Sequence, residues 1–377
     1  MGMKNKSQFS LSTRIPMPDG NQVRDQMHRH GVGCCCFIIP LKVLKRFAKD
    51  PKLPSKTRKA FADAAKFEQE WRKLRVARTE HTLAARAILP TGMTAAAAAR
   101  PPAVNVFDCA HNNTLPGAPV SNPGSAADSS AKQAFKEATA VADFYQQAFG
   151  RNSVDDSGMT LISSIHYSVK YNNAFWNGSQ MVYGDGDGNI FIDFTKSNDV
   201  IGHELTHGVT QYSAGLSYTN QAGGLNESIS DVFGSMFRQW EAAEDVTKAD
   251  WLIGSEIMGP GAKARGFTCL RDMSDPPAKH CLSPQPTKFS QYHNGMDPHE
   301  SSGIPNFAFY KAAMAIGGKS WEKTGRIWYH ALTDFPPTPN MKMGMFADRT
   351  RKLAASLFTK QPAVKAGVDQ AWSAVGL

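Results

Sequence analysis

The sequence predicts an α+β fold, with a strand-rich lobe followed by a helical lobe and preceded by a separate N-terminal segment. The chain has 377 residues, which is more than one compact core usually holds, so two or three structural units are expected. Strand and turn signals dominate residues 103–198, whereas helical patterns dominate from Asp199 onward. A low-complexity run at 94–102 (TAAAAARPP) is typical of a linker. We therefore expect an N-terminal segment with its linker at 1–100, a strand-rich lobe at 101–215 and a helical lobe at 216–377.

Within the N-terminal segment, residues 1–33 mix polar residues with Gly and Pro and are expected to be flexible. The apolar block from Phe37 to Leu41 is predicted to form a strand or a docking peptide. Ser55 is a suitable N-cap for a helix with Phe61 and Trp71 on its apolar face.

The two lobes differ in the periodicity of their apolar residues. In the strand-rich lobe, residues 162–171 alternate in part, and the run at 181–188 (MVYGDGDG) enters a tight turn. One helix interrupts this lobe and ends at Gly150. Helices are predicted at 130–149, 199–213, 225–240, 303–316, 321–333 and 345–358.

The net charge of +9 is unevenly distributed. Residues 1–100 carry 20 Lys/Arg and 7 Asp/Glu (+13), and residues 101–377 carry 22 and 26 (−4). A basic patch can bind nucleic acid, but no zinc-finger, homeodomain or RNA-binding signature accompanies it. We therefore expect no nucleic-acid partner and a basic segment lying against a slightly acidic body.

Targeting signals are not apparent in the sequence. No run of eighteen apolar residues occurs, so no membrane span and no membrane partner are expected. The first 18 residues lack the apolar centre of a secretory signal. The chain is therefore expected to be cytoplasmic or exported by a non-classical route.

The segment His203-Glu204-Leu205-Thr206-His207 carries the strongest chemical signal. On a helix, residues i and i+4 lie on one face, so His203 and His207 can bind one metal ion. Glu204 then lies close enough to a metal-bound water to accept its proton. With 11 His in the chain, chance produces such a pattern on the order of once in a hundred times. The motif favours a zinc hydrolase over a helix with two solvated histidines.

A catalytic zinc ion needs a third protein ligand and an open position for water. Glu227 is the best candidate, on a second predicted helix that is too apolar to be a free surface helix. Asp231 follows it by four residues, so both carboxylates face the same way and Asp231 can accept the free ring N–H of a ligating histidine. Asn226, beside Glu227, is a second candidate for this supporting role.

These residues resemble the thermolysin family of zinc metallopeptidases. Nineteen residues separate His207 from Glu227, as in that family, and family-like segments recur at 107–117, 144–153, 172–178 and 181–188. The resemblance covers about residues 105–377. It implies a two-lobed thermolysin-like fold with the zinc cleft between a β-rich N-terminal lobe and an α-helical C-terminal lobe.

The resemblance also implies residue roles. Glu204 is expected to act as general base and proton shuttle, Tyr218 and His299 to stabilise the oxyanion, and Asp297 to orient His299. Asn173, the Ala174 carbonyl and Arg271 are expected to hold the substrate backbone. The pocket for the residue after the scissile bond is expected to be formed by Val200, Ile253, Ile257 and Leu270. This implies a zinc endopeptidase that cuts on the N-terminal side of bulky apolar residues in proteins and peptides.

The sequence departs from the family at its usual calcium site. Asp199 and Asp250 remain, but Arg238, Leu252 and Ser255 replace the usual acidic ligands. A Ca²⁺ ion needs six to eight oxygens, so one catalytic Zn²⁺ and no double calcium site are predicted.

Family members of the protealysin type share this acidic depletion and carry a short prosegment with a Phe-x-Ile-Pro-Pro-like core. Here Phe37-Ile38-Ile39-Pro40 is followed by Leu41, so the second proline is missing. The resemblance implies that the N-terminal segment is an intramolecular inhibitor, removed by cleavage near residues 95–105.

The cysteines leave two questions open. Cys34, Cys35 and Cys36 precede the docking core, and one of them is hypothesised to block the zinc ion as a thiolate; alternatively, all three are buried or redox-inert. Cys269 and Cys281 form either a disulfide or two free thiols.

Two other functions remain as alternatives. An inhibited homologue acting as a binding protein is disfavoured because every catalytic position is intact. An exopeptidase or another small-substrate hydrolase is disfavoured because no feature that would bind a free amine is found in the sequence.

Overall fold

Residues 36–86 of the N-terminal segment form one strand and two helices that pack on the strand-rich lobe. The computed structural model describes residues 36–86 and 101–377. The segment contains β1 (Cys36–Phe37), α1 (Leu41–Ala48) and α2 (Ser55–Arg86). Phe37 contacts Phe67 of α2 at a ring-centroid distance of 6.1 Å and Phe175 of the lobe at 5.1 Å. The segment and the lobe therefore share one apolar core.

The strand-rich lobe is built on a mixed sheet. Its elements are β2 (Val104–Asp108), β3 (Ala118–Pro119), α3 (Ser129–Phe149), β4 (Leu161–Ile165), β5 (Ala174–Trp176) and β6 (Met181–Tyr183). The sheet order is β1-β5-β6-β4-β2-β3. β1 pairs antiparallel with β5, with Cys36 opposite Trp176 and Phe37 opposite Phe175. The apolar block of the N-terminal segment is therefore both a strand and a docking peptide at the sheet edge.

Local signals explain the boundaries of α3. The Asp128 carboxylate accepts hydrogen bonds from the backbone N–H groups of Ser130 and Ala131, which have no partner within the helix. Gly150 ends the helix with φ at 71°, a conformation that glycine adopts without steric cost. The predicted helix at 130–149 is thus observed within one residue.

The second lobe is helical. It follows α4 (Asn198–Tyr212), which ends the first lobe, and its elements are α5 (Asn220–Glu241), β7 (Leu252–Ile253), α6 (Pro260–Lys263), β8 (Arg271–Asp272), α7 (Pro298–Ser301), α8 (Gly303–Ile316), α9 (Thr324–Thr333), α10 (Met343–Leu357) and α11 (Pro362–Ala374). The five helices predicted from Asp199 onward are present, although α5 begins five residues earlier than predicted. The sequence patterns did not predict α1 or α11.

Two glycines let α4 and α5 approach closely. A Cβ atom on Gly202 would lie 3.1 Å from the Gly234 Cα atom, and one on Gly234 would lie 2.5 Å from the Asp199 carbonyl oxygen. At Gly234 only hydrogen fits without a backbone shift, and at Gly202 a side chain would be crowded, so the helices meet backbone to backbone. This contact positions the α4 side chains one turn further along beside those of α5.

Arg238 lies opposite Asp199, where the sequence departs from the calcium-binding pattern. Its guanidinium nitrogens lie 3.9 Å from Asp199 Oδ2, 3.3 Å from Asp250 Oδ2 and 3.8 Å from Glu256 Oε1. It also donates a hydrogen bond of 3.1 Å to Ser255 Oγ. One side-chain cation thus offsets three carboxylates.

A histidine joins the start of α3 to the sheet. His166 contacts Asp185 through Nδ1 at 2.7 Å and Asp128 through Nε2 at 3.0 Å, and His111 also contacts Asp185 at 3.2 Å. The hydrogen bond to Asp185 raises the pKa of His166 to about 9, against the opposing effect of burial and with a further contribution from Asp128.

No helix among the described residues has both the length and the apolar character needed to cross a bilayer.

Candidate active site

His203 and His207 lie one turn apart on α4, and both are buried. Their Nε2 atoms are 3.1 Å apart. The opposite ring nitrogens donate hydrogen bonds of 2.8 Å, from His203 Nδ1 to Asp231 Oδ1 and from His207 Nδ1 to Asn226 Oδ1. Because each Nδ1 faces an oxygen acceptor, the two Nε2 atoms are the ring nitrogens left to face each other.

Glu227 on α5 completes this cluster. Its Oε2 atom lies 3.5 Å from His203 Nε2, and its Oε1 atom lies 3.6 Å from His207 Nε2. Burial, with the neighbouring His203, lowers the pKa of His207 to about 3 despite the opposing charge of Glu227, so its ring is neutral near pH 7. Two imidazole lone pairs and a carboxylate therefore converge within 4.8 Å, an arrangement that fits a tetrahedral Zn²⁺ ion with one open position.

Asp231 fixes more than one part of this site. It accepts hydrogen bonds from Arg271 at 2.7 and 2.8 Å, and Asn306 donates to it at 2.9 Å. Burial acts to raise the pKa of Asp231, but the charge of Arg271 and the hydrogen bond from His203 hold it well below its usual range. The ionised carboxylate thus orients a candidate metal ligand and a candidate substrate-binding arginine together.

Glu204 lies between the metal cluster and the sheet edge. Its Oε2 atom accepts a hydrogen bond of 2.9 Å from the backbone N–H of Trp176 on β5, and its Oε1 atom has no hydrogen-bond partner among the described residues. Burial, followed by the charge of Glu227, raises the pKa of Glu204 well above its usual value. A carboxylate in this environment is a stronger base than one in water.

His299 and Tyr218 face the metal cluster from the opposite side. His299 Nε2 lies 3.4 Å from both the Tyr218 hydroxyl and Glu227 Oε2, and the Tyr218 hydroxyl donates to Glu227. Asp297 Oδ1 accepts a hydrogen bond of 2.9 Å from His299 Nδ1. Burial opposes protonation, but the charges of Glu227 and Asp297 raise the pKa of His299. The structure thus brings the two predicted oxyanion donors together with Asp297.

Three of the predicted pocket residues lie in or near the two-stranded β7–β8 sheet, and the fourth, Val200, lies on α4. All four are fully buried: Val200, Ile253, Ile257 and Leu270. A Cβ atom on Gly254 would lie 2.8 Å from Leu270 Cδ1 and 3.5 Å from Ile257 Cδ1, so these two side chains share one small space. Asp199 accepts hydrogen bonds from the backbone N–H groups of Val200 and Gly254, at 2.9 and 2.7 Å, and so joins α4 to the end of β7.

The N-terminal segment lies on the predicted substrate-binding residues. Ile38 N–H donates to the Ala174 carbonyl at 3.2 Å, and Ile39 N–H donates to Asn173 Oδ1 at 2.9 Å. Arg271 donates to the Ile38 carbonyl at 3.3 Å. All three predicted backbone-binding groups therefore contact residues 38 and 39 of the chain itself.

The cysteine hypothesis is wrong for Cys36. The Cys36 side chain is buried and disulfide-bonded, so it offers no thiolate to a metal ion. The group of this strand that contacts His299 is the Phe37 backbone carbonyl. Cys34 and Cys35, residues 1–33 with their predicted flexibility, and the predicted linker as far as residue 100 lie outside the described residues.

Two residues that the sequence patterns did not predict also belong to this region. Arg72 of α2 donates to Asp297 Oδ2 at 2.8 Å and to Glu68 Oε1 at 2.6 and 2.8 Å. The other is Asn306, which donates to Asp231. The signal that could have identified it is a single amide side chain within the apolar stretch 304–309 of α8. Nothing in the sequence marked Arg72, because Asp297 is 225 positions away.

Two family models together match most of the chain. Residues 92–211 match the thermolysin metallopeptidase catalytic domain, and residues 214–377 match the thermolysin metallopeptidase alpha-helical domain. An extracellular metalloprotease of Pectobacterium carotovorum subsp. carotovorum is 43% identical over 284 residues, covering 72% of this chain and 80% of the relative. A thermolysin of Bacillus sp. (strain EA1) is 38% identical over 286 residues, covering 72% and 50%.

A solved structure extends the similarity into the N-terminal segment. The protealysin precursor of Serratia proteamaculans superposes with a TM-score of 0.74 at 39% identity, covering 90% of this chain and 99% of that one. The predicted thermolysin-like fold and protealysin-type precursor are confirmed. The chain belongs to the thermolysin family of zinc metallopeptidases.

Proposed function

We propose that this metallopeptidase is the latent precursor of an endopeptidase that cuts on the N-terminal side of bulky apolar residues and matures when its N-terminal segment is removed. The observation that carries the proposal is that residues 36–39 lie on the sheet edge between the base Glu204 and the donor His299. An extended peptide occupies this position and pairs with β5 through its backbone. The same edge would accept a substrate strand once the segment leaves.

Each part of the proposed peptide hydrolysis is assigned to a group of the candidate active site. A bound Zn²⁺ ion would supply Lewis acidity at the carbonyl and lower the pKa of water. Glu204 accepts the proton of the attacking water and transfers it to the leaving amine. His299 and Tyr218 donate hydrogen bonds to the oxygen on which negative charge develops, and Asp297 holds the imidazole of His299 in position.

Specificity is proposed to reside in the pocket formed by Val200, Ile253, Ile257 and Leu270. It has no charged side chain among these four residues, and all are fully buried. A pocket of this kind favours Leu, Ile or Phe after the scissile bond. One methylene more or less changes the rate about 10–200-fold.

Latency is proposed to follow from the same contacts. The N-terminal segment buries Phe37, Ile38 and Ile39 against the cleft, so no substrate can pair with β5 while the segment is bound. Cleavage near residues 95–105 would disconnect the segment from the enzyme and let it dissociate. We also propose that Arg238 takes the place of calcium, so maturation and stability need no Ca²⁺ ion.

The decisive test compares the purified chain with its Glu204→Gln variant. Zinc should restore self-cleavage and hydrolysis of an apolar peptide to the chelator-treated wild type, whereas the variant should do neither. Glu322→Gln, an exposed glutamate in the helical lobe, is the matched control and should behave as wild type. If the zinc-loaded wild type cleaves neither itself nor a library of apolar peptides, the alternative of a non-catalytic binding protein is favoured instead.

A further inference from the structure

We propose that the Phe37–Ile38 peptide bond is itself a processing site, which the enzyme cuts while the N-terminal segment remains docked. The inference rests on the proposed function, because it assigns a particular bond as a substrate of that active site. It differs from cleavage of the linker, which lies some sixty positions further along the chain.

The contact with His299 identifies the bond. The Phe37 carbonyl accepts a hydrogen bond of 2.6 Å from His299 Nε2. His299 is the donor assigned to the oxyanion, and the oxyanion forms on the carbonyl of the residue that precedes the scissile bond. His299 Nε2 lies 3.4 Å from Glu227 Oε2, so this carbonyl is also next to the metal cluster. The bond after this carbonyl is Phe37–Ile38.

The residues after the bond are held as a substrate would be held. The Ile38 N–H donates to the Ala174 carbonyl, the Ile38 carbonyl accepts from Arg271, and the Ile39 N–H donates to Asn173, at 3.2, 3.3 and 2.9 Å. These are the three groups assigned to the substrate backbone. Ile38 is fully buried and is a branched apolar residue, the type that the proposed pocket favours.

The general base lies beside the same strand. Glu204 Oε2 accepts the N–H of Trp176, and Trp176 is the partner of Cys36 in the β1–β5 register. A single register of the docked strand therefore accounts for the contacts on both sides of the bond and for its position beside the oxyanion donor and the base. Several independent hydrogen bonds fix that register, so a shift by one residue would break each of them.

The step is an ordinary hydrolysis and needs only water. The water oxygen bonds to the Phe37 carbonyl carbon, and the bond between that carbon and the Ile38 nitrogen breaks. Both water protons reach the Ile38 nitrogen: the first passes through Glu204, and the second is lost by the new Phe37 carboxyl group after the bond breaks. The products are a carboxylate on Phe37 and an ammonium group on Ile38 that remains close to the Ala174 carbonyl.

Cleavage here would not by itself release the segment. Downstream of the bond, Phe47, Phe61 and Trp71 are each at most 2% exposed, and Arg72 and Lys42 form ion pairs with Asp297 and Glu300. The new N-terminus would therefore remain in the cleft as a bound product. Maturation would then consist of a cut at Ile38 that preserves inhibition and a linker cut that ends it.

The experiment follows new N-termini in the intact chain. Zinc is added to the chelator-treated protein, samples are quenched with acid, and free amino termini are labelled and identified by mass spectrometry. We expect a fragment that begins at Ile38, with a first-order rate independent of protein concentration, and no such fragment in Glu204→Gln. Ile38→Ala should slow this cut at least about tenfold and Ile38→Leu should preserve it. Leu41→Ala truncates a partly buried residue that none of the three groups assigned to the substrate backbone binds, and it should change the rate of this cut only a few-fold.

The failure of this inference can be distinguished from failure of the proposed function. If the zinc-loaded chain hydrolyses an added apolar peptide while the Phe37–Ile38 bond stays intact over many turnovers, the processing site is refuted and the endopeptidase remains. A rate at Phe37–Ile38 that is indifferent to Ile38→Ala, or that rises with protein concentration, also overturns it. Absence of all cleavage refutes the proposed function itself.

Discussion

Arg72 offers a direct test of the proposal that the docked N-terminal segment keeps the enzyme latent. Its guanidinium joins Glu68, a fully buried carboxylate of the same helix, to Asp297, the partner of the catalytic candidate His299. Replacing Arg72 with Met retains most of the aliphatic side chain and removes all of these hydrogen bonds. Glu68 would then remain in the interface without a cation, and burial already raises its pKa above the usual value.

The magnitude follows from the burial of the pair. Removing one partner of a buried ion pair costs about 3–5 kcal/mol. The Arg72 side chain is 26% exposed and Glu68 is 1% exposed, so solvent screening reduces the expected loss to about 2–3 kcal/mol. Because 1.4 kcal/mol corresponds to a tenfold change, the segment should leave the cleft about 30- to 150-fold more often in Arg72→Met.

The assay is the initial rate of hydrolysis of an apolar fluorogenic peptide by the uncut, zinc-loaded chain. Arg72→Met should show about 30- to 150-fold more residual activity than wild type. Lys59→Met, which removes an exposed lysine of the same helix paired with Asp63, should remain latent. Adding Glu68→Gln to Arg72→Met should restore most of the latency, because the unpaired carboxylate is removed. A folded Arg72→Met variant as latent as wild type would refute the reasoning.

The remaining predictions concern stability. The pKa of His166 is raised from 6.5 to about 9, so its stabilising contribution should be complete below about pH 6.5 and lost as the pH rises through 9; urea unfolding of wild type and His166→Asn should converge at high pH. Calcium and its chelation should leave the wild-type thermal midpoint unchanged, whereas Arg238→Glu should gain a calcium-dependent increase; a calcium-dependent midpoint in the wild type would disprove the substitution of a side-chain cation for the ion. The Cys269 and Cys281 sulfurs are 3.6 Å apart, so a mild disulfide oxidant should remove two hydrogens by mass and raise the free energy of unfolding by about 3 kcal/mol; two thiols that still titrate after oxidation would contradict this.

Short-range spacing made much of the site predictable. His203 and His207 are four positions apart, and so are Glu227 and Asp231, so helical geometry alone places each pair on one face. The two helices approach closely because Gly202 and Gly234 lack side chains, a feature that the sequence contains but that only the folded contact makes interpretable. The structure then brings both pairs together in one buried cluster.

Long-range convergence was the part that local patterns missed. Arg72 and Asp297 are 225 positions apart and meet only because α2 crosses the cleft. The cysteine hypothesis failed at Cys36 for a related reason. Residue type suggested a soft metal ligand, but backbone pairing with β5 presents the Phe37 carbonyl to His299. Which atom of a docking strand reaches a site depends on register, and β1 has no local signal that sets its register.

The contacts of the N-terminal segment separate into two kinds with different consequences. Asn173, Ala174 and Arg271 bind the backbone of residues 38 and 39, and the same groups are proposed to bind every substrate. Mutations there must weaken latency and catalysis together, because one hydrogen bond serves both states.

Arg72 is different, because it contacts Asp297 from the side that faces away from His299: Asp297 uses Oδ1 for the imidazole and Oδ2 for the arginine. Loss of Arg72 leaves the bond that orients His299 intact. The strength of latency can therefore change through α2 without any change in the groups that would perform hydrolysis. Such an independent contact would let a precursor be inactive when intact and fully active when cut, and within the described residues the Glu68–Arg72–Asp297 chain supplies one.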